Sequence, residues 1–458
     1  MKKKLLQGFK TYIENESLIK NNDKIVLAVS GGYDSTVLLD LFHTIGSEYH
    51  LKFVLAHVNH SLRDKSADRD EVFVRNLALN YDIKFFSTRV NVKQYAKTNK
   101  LSTEQAARYL RLNYLNFLRK EINYDKIALG HNADDMVETI MMNLIRGYGI
   151  KGLRGIKPKY NYLIHPLLFA TRNEIVDYAE AKRLDHVEDE SNQDTTFFRN
   201  KIRHSIVPVL VNQFGPQTIR SMCKSGKILS EIEEYIHHAT NTALQKVIVS
   251  ETNKEIVLDI DNYLDYFIAI KKSIILHLLE KMYGQYTYNT INSVLELIEK
   301  GKSNNRVEVG KKGIVIKHAD KVYFTIQEKP IGETELKLEK WNCIPECGIK
   351  IKPSQLKKID KVKHDNRYLE YIDFNTVDLP LKVRSWIKGD TFIPLGMSGT
   401  KKLHDFFIDE GVANFKRNRI PVLTDTSKIV WIVGYRINEQ VKISEETNNI
   451  LRLEVKQI

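Results

Sequence analysis

The chain has 458 residues, which is too long for one ordinary hydrophobic core, so we expect about two to four domains. It carries 70 lysines and arginines against 57 acidic residues, and the formal net charge of +13 favours a polyanionic partner. Three cysteines are too few for a disulfide framework or a four-cysteine zinc site. No run approaches the roughly 18 apolar residues of a membrane span, so we expect a cytoplasmic protein without a membrane partner.

Residues 1–215 alternate between segments typical of strands and segments typical of helices. Apolar, β-branched runs predict strands at 24–29, 52–58, 84–90 and 126–130, and helical periodicity predicts helices at 36–42, 70–81, 103–121 and 133–146. The alternation predicts an α/β domain in which helices cover both faces of a doubly wound parallel sheet. Ligands of such sheets collect at the carboxyl ends of the strands, where the polar residues of this region lie.

The pattern changes after residue 215. Residues 216–330 contain amphipathic helical segments at 217–247, 266–283 and 288–300 and then a hairpin-like pair, which predicts a mostly helical domain. Residues 331–367 are rich in lysine and predict a connector with some strand content. Residues 368–458 contain short β-rich runs at 381–386 and 428–433, which predict a small α+β domain.

The most informative motif follows the first predicted strand and reads Ser30, Gly31, Gly32, Tyr33, Asp34, Ser35. Paired glycines allow backbone N–H groups to surround a phosphate, and the helix that follows adds its positive N-terminus. An ordinary glycine turn capped by Ser35 is the alternative, and the complete string after a strand argues against it. No lysine follows the glycines, so the loop is not a GxxxxGK[ST] P-loop. It resembles the loop of the PP-loop ATP pyrophosphatases, which implies that ATP is cleaved at its α-phosphate.

A second group of polar residues follows the strand at 126–130. Asp135 and Glu138 share one face of the next helix, and His131 lies four residues before Asp135. Carboxylates from separate segments, here joined by Asp34, suit Mg²⁺, which prefers oxygen ligands and bridges to phosphates. The alternative is that these acidic residues only cap the helix and interact with its dipole.

Two further patterns are weaker. Glu104, Arg108 and Arg111 form one polar stripe on the helix at 103–121, which without other information is a solvated face. His57 and His60 have H-x-x-H spacing with no nearby cysteine, so zinc is not expected there. Polar residues at a strand end that face a nucleotide or substrate fit His57 and His60 better.

Taken together, the motifs resemble the tRNA(Ile)-lysidine synthetase family in order along the chain. They are SGGYDS at 30–35, HVNHSLR at 57–63, EQAARYLR at 104–111, HNADDMVET at 131–139, RGYGIKGL at 146–153, PLL at 166–168, DESN at 189–192 and RNKIR at 199–203. The stretches 383–390, 401–403 and 419–423 are similar to the C-terminal domain of the family, whereas the middle region matches in helical character only.

The resemblance implies a two-step ligation. ATP adenylates the C2 carbonyl oxygen of the wobble cytidine of a CAU-anticodon tRNA(Ile), and the ε-amine of free lysine then displaces AMP, giving lysidine, which reads AUA instead of AUG. It also implies that residues 30–35 hold the nucleotide and that Asp34, Asp135 and Glu138 hold Mg²⁺ or the lysine ammonium. His131, Arg111 and Arg203 are implied to contact the nucleotide, lysine or the developing charge. A carboxylate or His131 must deprotonate lysine, and the sequence leaves both open.

The resemblance gives the basic regions a role in binding tRNA. In the C-terminal domain the residues expected to grip it are Lys401, Lys402, Arg417 and Arg419, interleaved with Phe406, Phe407 and Phe415. A solvated surface over core phenylalanines is the alternative. The sequence leaves a monomer and a homodimer open.

Three other functions compete with this interpretation. A tRNA-thiolating PP-loop enzyme needs reactive cysteines, but Cys223, Cys343 and Cys347 all lie outside the catalytic half. A non-catalytic tRNA-binding protein would be expected to lose the loop or the acidic pair, and both are present. A synthetase of the amidotransferase type acting on a small molecule leaves the basic C-terminal domains without a use.

Overall fold

The structure is a computed structural model that describes residues 2–61, 64–187, 198–284, 286–327, 329–357 and 366–458. The DESN motif at 189–192, the last two residues of HVNHSLR and part of the predicted connector lie outside the described residues. The chain divides into two compact units, Met1–Tyr235 and Ile236–Ile458, and each is described by itself. No helix within the described ranges combines the length and apolar character needed to cross a bilayer.

The first unit alternates strands and helices as predicted. Its strands are β1 (Lys24–Ala28), β2 (Lys52–Asn59), β3 (Phe85–Arg89), β4 (Lys126–Ala128), β5 (Lys159–Tyr160) and β6 (Leu163–Ile164). Its helices are α1 (Lys2–Asn15), α2 (Tyr33–Gly46), α3 (Asp64–Asn80), α4 (Val92–Asn99), α5 (Thr103–Glu121), α6 (Ala133–Ile145), α7 (Ile150–Leu153), α8 (Arg172–Lys182), α9 (Phe198–Lys201), α10 (Val207–Phe214) and α11 (Gln217–Val247). A π-helical turn, Ile202–Ile206, joins α9 to α10.

The predicted doubly wound sheet is confirmed. Its strand order is β3-β2-β1-β4-β6-β5, with parallel pairing from β3 to β6 and an antiparallel edge strand β5. Alternate residues of β1 face opposite layers: Ile25 and Leu27 lie in the core with α1, α2 and α8, while Val26 packs with Leu115 of α5. The chain leaves β1 towards β2 and later returns to β4 on the other side. The switch point of the sheet therefore lies between the carboxyl ends of β1 and β4.

The second unit begins inside α11, so the division differs from the predicted boundary at 215/216. The reason is that Ile219 of α11 packs with Ala133 and Val137 of α6 in the first unit. The unit then contains α12 (Ile260–Leu264), α13 (Ile268–Tyr283) and α14 (Tyr288–Lys300), which pack on an antiparallel sheet of order β7-β8-β11-β10-β9. These strands are β7 (Ile248–Glu251), β8 (Glu255–Asp259), β9 (Arg306–Val309), β10 (Gly313–His318) and β11 (Lys321–Ile326).

The remainder forms the predicted α+β domain. Its elements are β12 (Thr334–Glu335), β13 (Asn342–Ile344), β14 (Ile349–Leu356), β15 (Leu369–Asp373), β16 (Lys382–Arg384), β17 (Thr391–Phe392), β18 (Lys401–Lys402), α15 (Leu403–Asp409), β19 (Val422–Thr424), β20 (Ile429–Ile432) and β21 (Ile450–Gln457). The described part of 331–367 is not a separate connector, because β14 pairs with β21 along its whole length and Ile331, Ile344 and Ile351 lie in the core of this domain. The lysines of this segment alternate with the apolar residues that it buries.

Candidate active site at the switch point of the N-terminal sheet

The SGGYDS loop is shaped by a glycine and a buried serine. Gly31 has a φ of +99°, and a Cβ there would lie 3.2 Å from Cδ1 of Phe73, so this position requires glycine. The buried hydroxyl of Ser35 accepts hydrogen bonds from the amides of Ser30 (3.2 Å) and Gly31 (3.1 Å) and donates to the carbonyl of Gly32 (3.0 Å). No side chain caps α2, which begins after Gly32. The amides of its first turn are therefore suited to an anion.

The loops that follow β1 and β4 meet directly. Asn132 donates from its Nδ2 to Oδ1 of Asp34 at 2.7 Å. Gly130 makes room for this approach, because a Cβ there would lie 3.3 Å from the carbonyl carbon of Asp34 and from the amide of Ser35. Asn132 also caps α6: its side chain accepts from the amide of Asp135, and the Asp135 carboxylate accepts from the amide of Asn132, each at 3.0 Å. Asp34 and the acidic residues of α6 are thus fixed relative to each other.

The predicted acidic pair carries two arginine partners. Glu138, which is only 1% exposed, accepts from Nε of Arg199 at 2.7 Å and from Nε of Arg203 at 2.5 Å. Oδ1 of Asp135 accepts from both guanidinium groups, at 3.0 and 3.1 Å. Two carboxylates and two guanidinium groups balance in charge, as a buried cluster requires. Arg199 and Arg203 are four residues apart in RNKIR, one helical turn, and this spacing is the signal that could have identified Arg199.

Asp34 has the weakest compensation of the three carboxylates. Among the described residues, its nearest cation is Arg172, at 3.7 Å. Burial, and then the charge of Asp135, raise the pKa of Asp34 to about 6. A cation near Asp34 would relieve this cost.

The magnesium prediction fits these residues in part. Within the described residues, no group of three or more His, Cys, Asp or Glu side chains is arranged to hold a metal. Mg²⁺ commonly binds through one or two carboxylates together with substrate phosphates, and Asp34 meets that requirement best. Asp135 and Glu138 meet it less well, because both oxygens of each carboxylate already accept hydrogen bonds. The roles of the three carboxylates as metal ligands stay predictions.

A cationic region borders the acidic cluster. In the described part of the chain, Nε of Arg111 and Nδ1 of His131 are buried without a hydrogen-bond partner. Burial, followed by the charges of Arg108 and Arg199, lowers the pKa of Arg111 to about 10, so it stays charged. Burial, the neighbouring His165 and the same arginines lower the pKa of His131 well below its usual value, so its imidazole is neutral. Buried polar atoms without partners are expected where a ligand completes the site.

Two histidines outside the predicted set support this region. His165 packs on His131 with ring centroids 4.9 Å apart, and His186 stacks on Tyr33 at 3.6 Å. His57 donates from Nδ1 to the carbonyl of Val29 at 2.9 Å and so supports the start of the loop. Burial lowers the pKa of His57, so it is neutral. The sequence identified neither His165 nor His186, because contacts between distant segments leave no local spacing.

These observations define the class of protein as an ATP-using PP-loop enzyme. Residues 1–210 match the PP-loop domain family, and residues 381–455 match the family described as the TilS substrate C-terminal domain. The tRNA(Ile)-lysidine synthase of Clostridium tetani is 33% identical over 97% of this chain and 96% of its own length. That of Caldanaerobacter subterraneus subsp. tengcongensis is 32% identical over 96% of each chain, and that of Persephonella marina is 31% identical over 100% of each.

The chain belongs to the tRNA(Ile)-lysidine synthase family. The resemblance found in the motifs is therefore confirmed, together with the prediction of a ligase that uses ATP. The full-length matches favour this interpretation over a thiolating PP-loop enzyme.

Proposed function

We propose that this chain joins free L-lysine to C2 of the wobble cytidine of a CAU-anticodon tRNA(Ile) through an adenylated cytidine. The observation that carries the proposal is the meeting of the SGGYDS loop with the β4–α6 loop, joined by the bond between Asn132 and Asp34. This contact supports the proposal, because it joins a turn suited to a phosphate to the loop that carries His131 and Asp135. In this proposal, adenylation of the cytidine and transfer of lysine both take place at this edge of the sheet.

In the first step the loop and the N-terminus of α2 hold the phosphates of ATP. The amide of Gly31 is already bonded to Ser35, so the amides of the first turn of α2 are the donors available to an anion. Asp34, together with Asp135, would hold Mg²⁺, which would neutralise phosphate charge. Arg111 supplies a buried positive charge where negative charge develops as the cytidine O2 attacks the α-phosphate and pyrophosphate leaves.

In the second step the ε-amine of lysine attacks C2, and the C2–O bond to AMP breaks. The amine must first lose a proton. Asp135 and Glu138 are ion-paired with Arg199 and Arg203, so their oxygens already accept hydrogen bonds within the protein. His131 is neutral and has a buried nitrogen without a partner, so we assign it the role of base.

In this proposal the protein binds tRNA(Ile) as its macromolecular partner and free lysine as its small-molecule substrate. The predicted homodimer and the cytoplasmic location stay predictions. Arg203 orients the acidic pair through its bonds to Glu138.

The test is ATP-dependent incorporation of labelled lysine into an unmodified tRNA(Ile) transcript with a CAU anticodon. We expect one lysine per tRNA, with AMP and pyrophosphate formed in equal amounts. A transcript with uridine at the wobble position is the matched control and should accept no lysine. AMP formation without lysine incorporation would contradict the proposal.

A further inference from the structure

The parallel pairing of β4 and β6 brings His165 beside His131, the proposed base. Strands β4 and β6 are parallel neighbours, so their carboxyl ends leave the same edge of the sheet. The amide of Leu129 donates to the carbonyl of Ile164 at 3.0 Å, and Asn132 pairs with Leu167 further along. His131 and His165 follow these strands. Their rings are 4.9 Å apart between centroids and tilted by 50°.

The orientation of His165 is fixed from the side away from His131. Its Nδ1 lies 2.8 Å from the carbonyl oxygen of Lys157, and a carbonyl can only accept, so Nδ1 carries the hydrogen. Its backbone amide donates to the carbonyl of Pro158 at 2.9 Å. Burial lowers the pKa of His165 to about 4, so the ring is neutral with a bare Nε2. One tautomer and one ring plane are thereby selected.

The loop that holds His165 is itself anchored. Arg154 and Lys157 both pair with Glu233 of α11, the latter at 3.4 Å. Side chains of these three residues are mostly buried, at 14–22% exposure. An ion-pair network at this burial holds the Lys157 carbonyl, and hence the ring of His165, in one place.

We propose that His165 is a positioning residue that fixes the ring of His131 for proton transfer from lysine. This inference rests on the proposed function. His165 fills the space against His131, and the other groups that face His131 are Arg108 and Arg111 of α5 and Arg199 of α9. All of these are cations, which disfavour a positive charge on His131. Water admitted beside His131 would screen these cations and would let the imidazole protonate more easily. By packing there, His165 keeps the base neutral and aimed.

The experiment separates the two chemical steps in the full chain. Pyrophosphate release without lysine reports adenylation, and single-turnover lysine transfer reports the second step. We expect His165→Asn, which keeps a donor near Nδ1 but removes the ring, to slow lysine transfer about 10- to 100-fold. Pyrophosphate release should change little. The pH below which transfer fails should rise, because a hydrated His131 has a pKa closer to its usual value.

His277→Asn is the matched control, because it removes a half-buried imidazole from the second unit and should leave both steps unchanged. A purely structural role for His165 would lower both steps equally and leave the acid limb in place, which would overturn the proposal. An unchanged rate and acid limb in His165→Asn would overturn it too. Absence of lysine incorporation by the unmodified protein would instead refute the proposed function.

A measurement on the unmodified protein covers the case in which the variant fails to fold. Nitrogen-15 chemical shifts of labelled histidines report protonation and tautomer directly. We expect His165 with its hydrogen on Nδ1 and His131 neutral from about pH 6 to pH 8. A protonated His131 at pH 7, or the other tautomer of His165, would overturn the proposal.

Discussion

At the scale of residues, charge balance decides what each acidic side chain of the site is able to do. Glu138 is buried and bonded to two guanidinium groups, so its charge is compensated within the protein. Among the described residues, the cation nearest to Asp34 is Arg172, at 3.7 Å. Two carboxylic acid side chains therefore differ in charge compensation: Glu138 is bonded to two arginines, whereas the charge of Asp34 is only weakly compensated.

Asp135 is bonded to both arginines and its charge also acts on Asp34, so its substitution tests the whole acidic cluster. We expect Asp135→Asn to lower lysine incorporation by at least ~100-fold, since it removes the charge that faces both arginines and Asp34. Far-UV circular dichroism should be unchanged, because asparagine retains an acceptor for the amide of Asn132. Labelled-lysine incorporation and dichroism spectra are the measurements.

The control for this variant is Glu48→Gln. Glu48 is 53% exposed and pairs with Lys10 on the surface, so removing its charge should leave activity within twofold, about 0.4 kcal/mol. Near-normal turnover in Asp135→Asn would exclude Asp135 from the site.

The positions of single site residues were predictable where the chain itself sets the spacing. Asp135 and Glu138 share a face because they are three residues apart on α6, and Gly31 is required because the turn after β1 has a positive φ. Their partners were not predictable in the same way. Arg199 lies 61 residues after Glu138, and no local pattern brings the two together. The assignment of Arg203 came from a family resemblance, not from spacing.

At the scale of elements, a buried polar network ties α2 to α8. Asp40 of α2 is 7% exposed and accepts from the hydroxyl of Tyr178 at 2.6 Å and from that of Tyr81 at 3.2 Å. Lys182 lies 3.4 Å from the same carboxylate. Because β1 feeds directly into α2, this network helps to set the direction in which the helix N-terminus points.

Removing one hydroxyl from this network should loosen α2. We expect Tyr178→Phe to destabilise the first unit by about 1–3 kcal/mol, because it removes the closest donor of a buried carboxylate oxygen, which then keeps only the long contact to Lys182. Hydrogen exchange of α2 and α8 amides is the measurement, since the two units need not unfold together. Faster exchange should be confined to these helices and their neighbours.

Tyr49→Phe provides the comparison. The Tyr49 hydroxyl donates to Glu14 at 2.6 Å at an exposed position, where water replaces the lost bond. Equal effects of the two substitutions on exchange would show that burial of Asp40 contributes nothing.

The elements themselves were predictable to different extents. Strong periodicity gave α11 and α14 with their observed bounds, and β-branched runs gave the parallel strands of the first unit. The lysine-rich composition of 331–357 predicts a connector, although the segment contains strands. In β14 half of the residues are polar, and the strand pairs with β21 along its length while Ile351 lies in the core.

At the scale of the whole molecule, part of the basic set predicted for the C-terminal domain is paired or buried within the protein. Phe406 and Phe407 are buried, so for them the core interpretation is right. Arg417 is buried and bonds to His404 and to the carbonyl of Val412. Lys401 pairs with Asp409. Two of the residues predicted to bind tRNA, Lys401 and Arg417, therefore have partners within the protein.

A second group of cations in the same domain surrounds an exposed aromatic ring. Trp341 is 36% exposed, and the ammonium groups of Lys350 and Lys456 lie 5.2 and 4.9 Å from its ring. Lys456 also lines a cavity of about 480 Å³ together with Arg367 and Arg419. An exposed aromatic ring flanked by cations suits a base and its phosphates.

The net charge of +13 leads to a prediction about salt. We expect the dissociation constant for tRNA(Ile) to rise steeply with KCl, with a log–log slope of at least about 3, or more than ~50-fold from 50 to 200 mM. Each neutralised phosphate releases counterions, and salt opposes that release. Lys350→Gln should lower the slope by about 1, whereas Lys401→Gln should change it less, since Lys401 is paired with Asp409. Tight binding that is independent of salt would show that charge does not hold the tRNA, and equal slopes for the two variants would exclude the surface around Trp341.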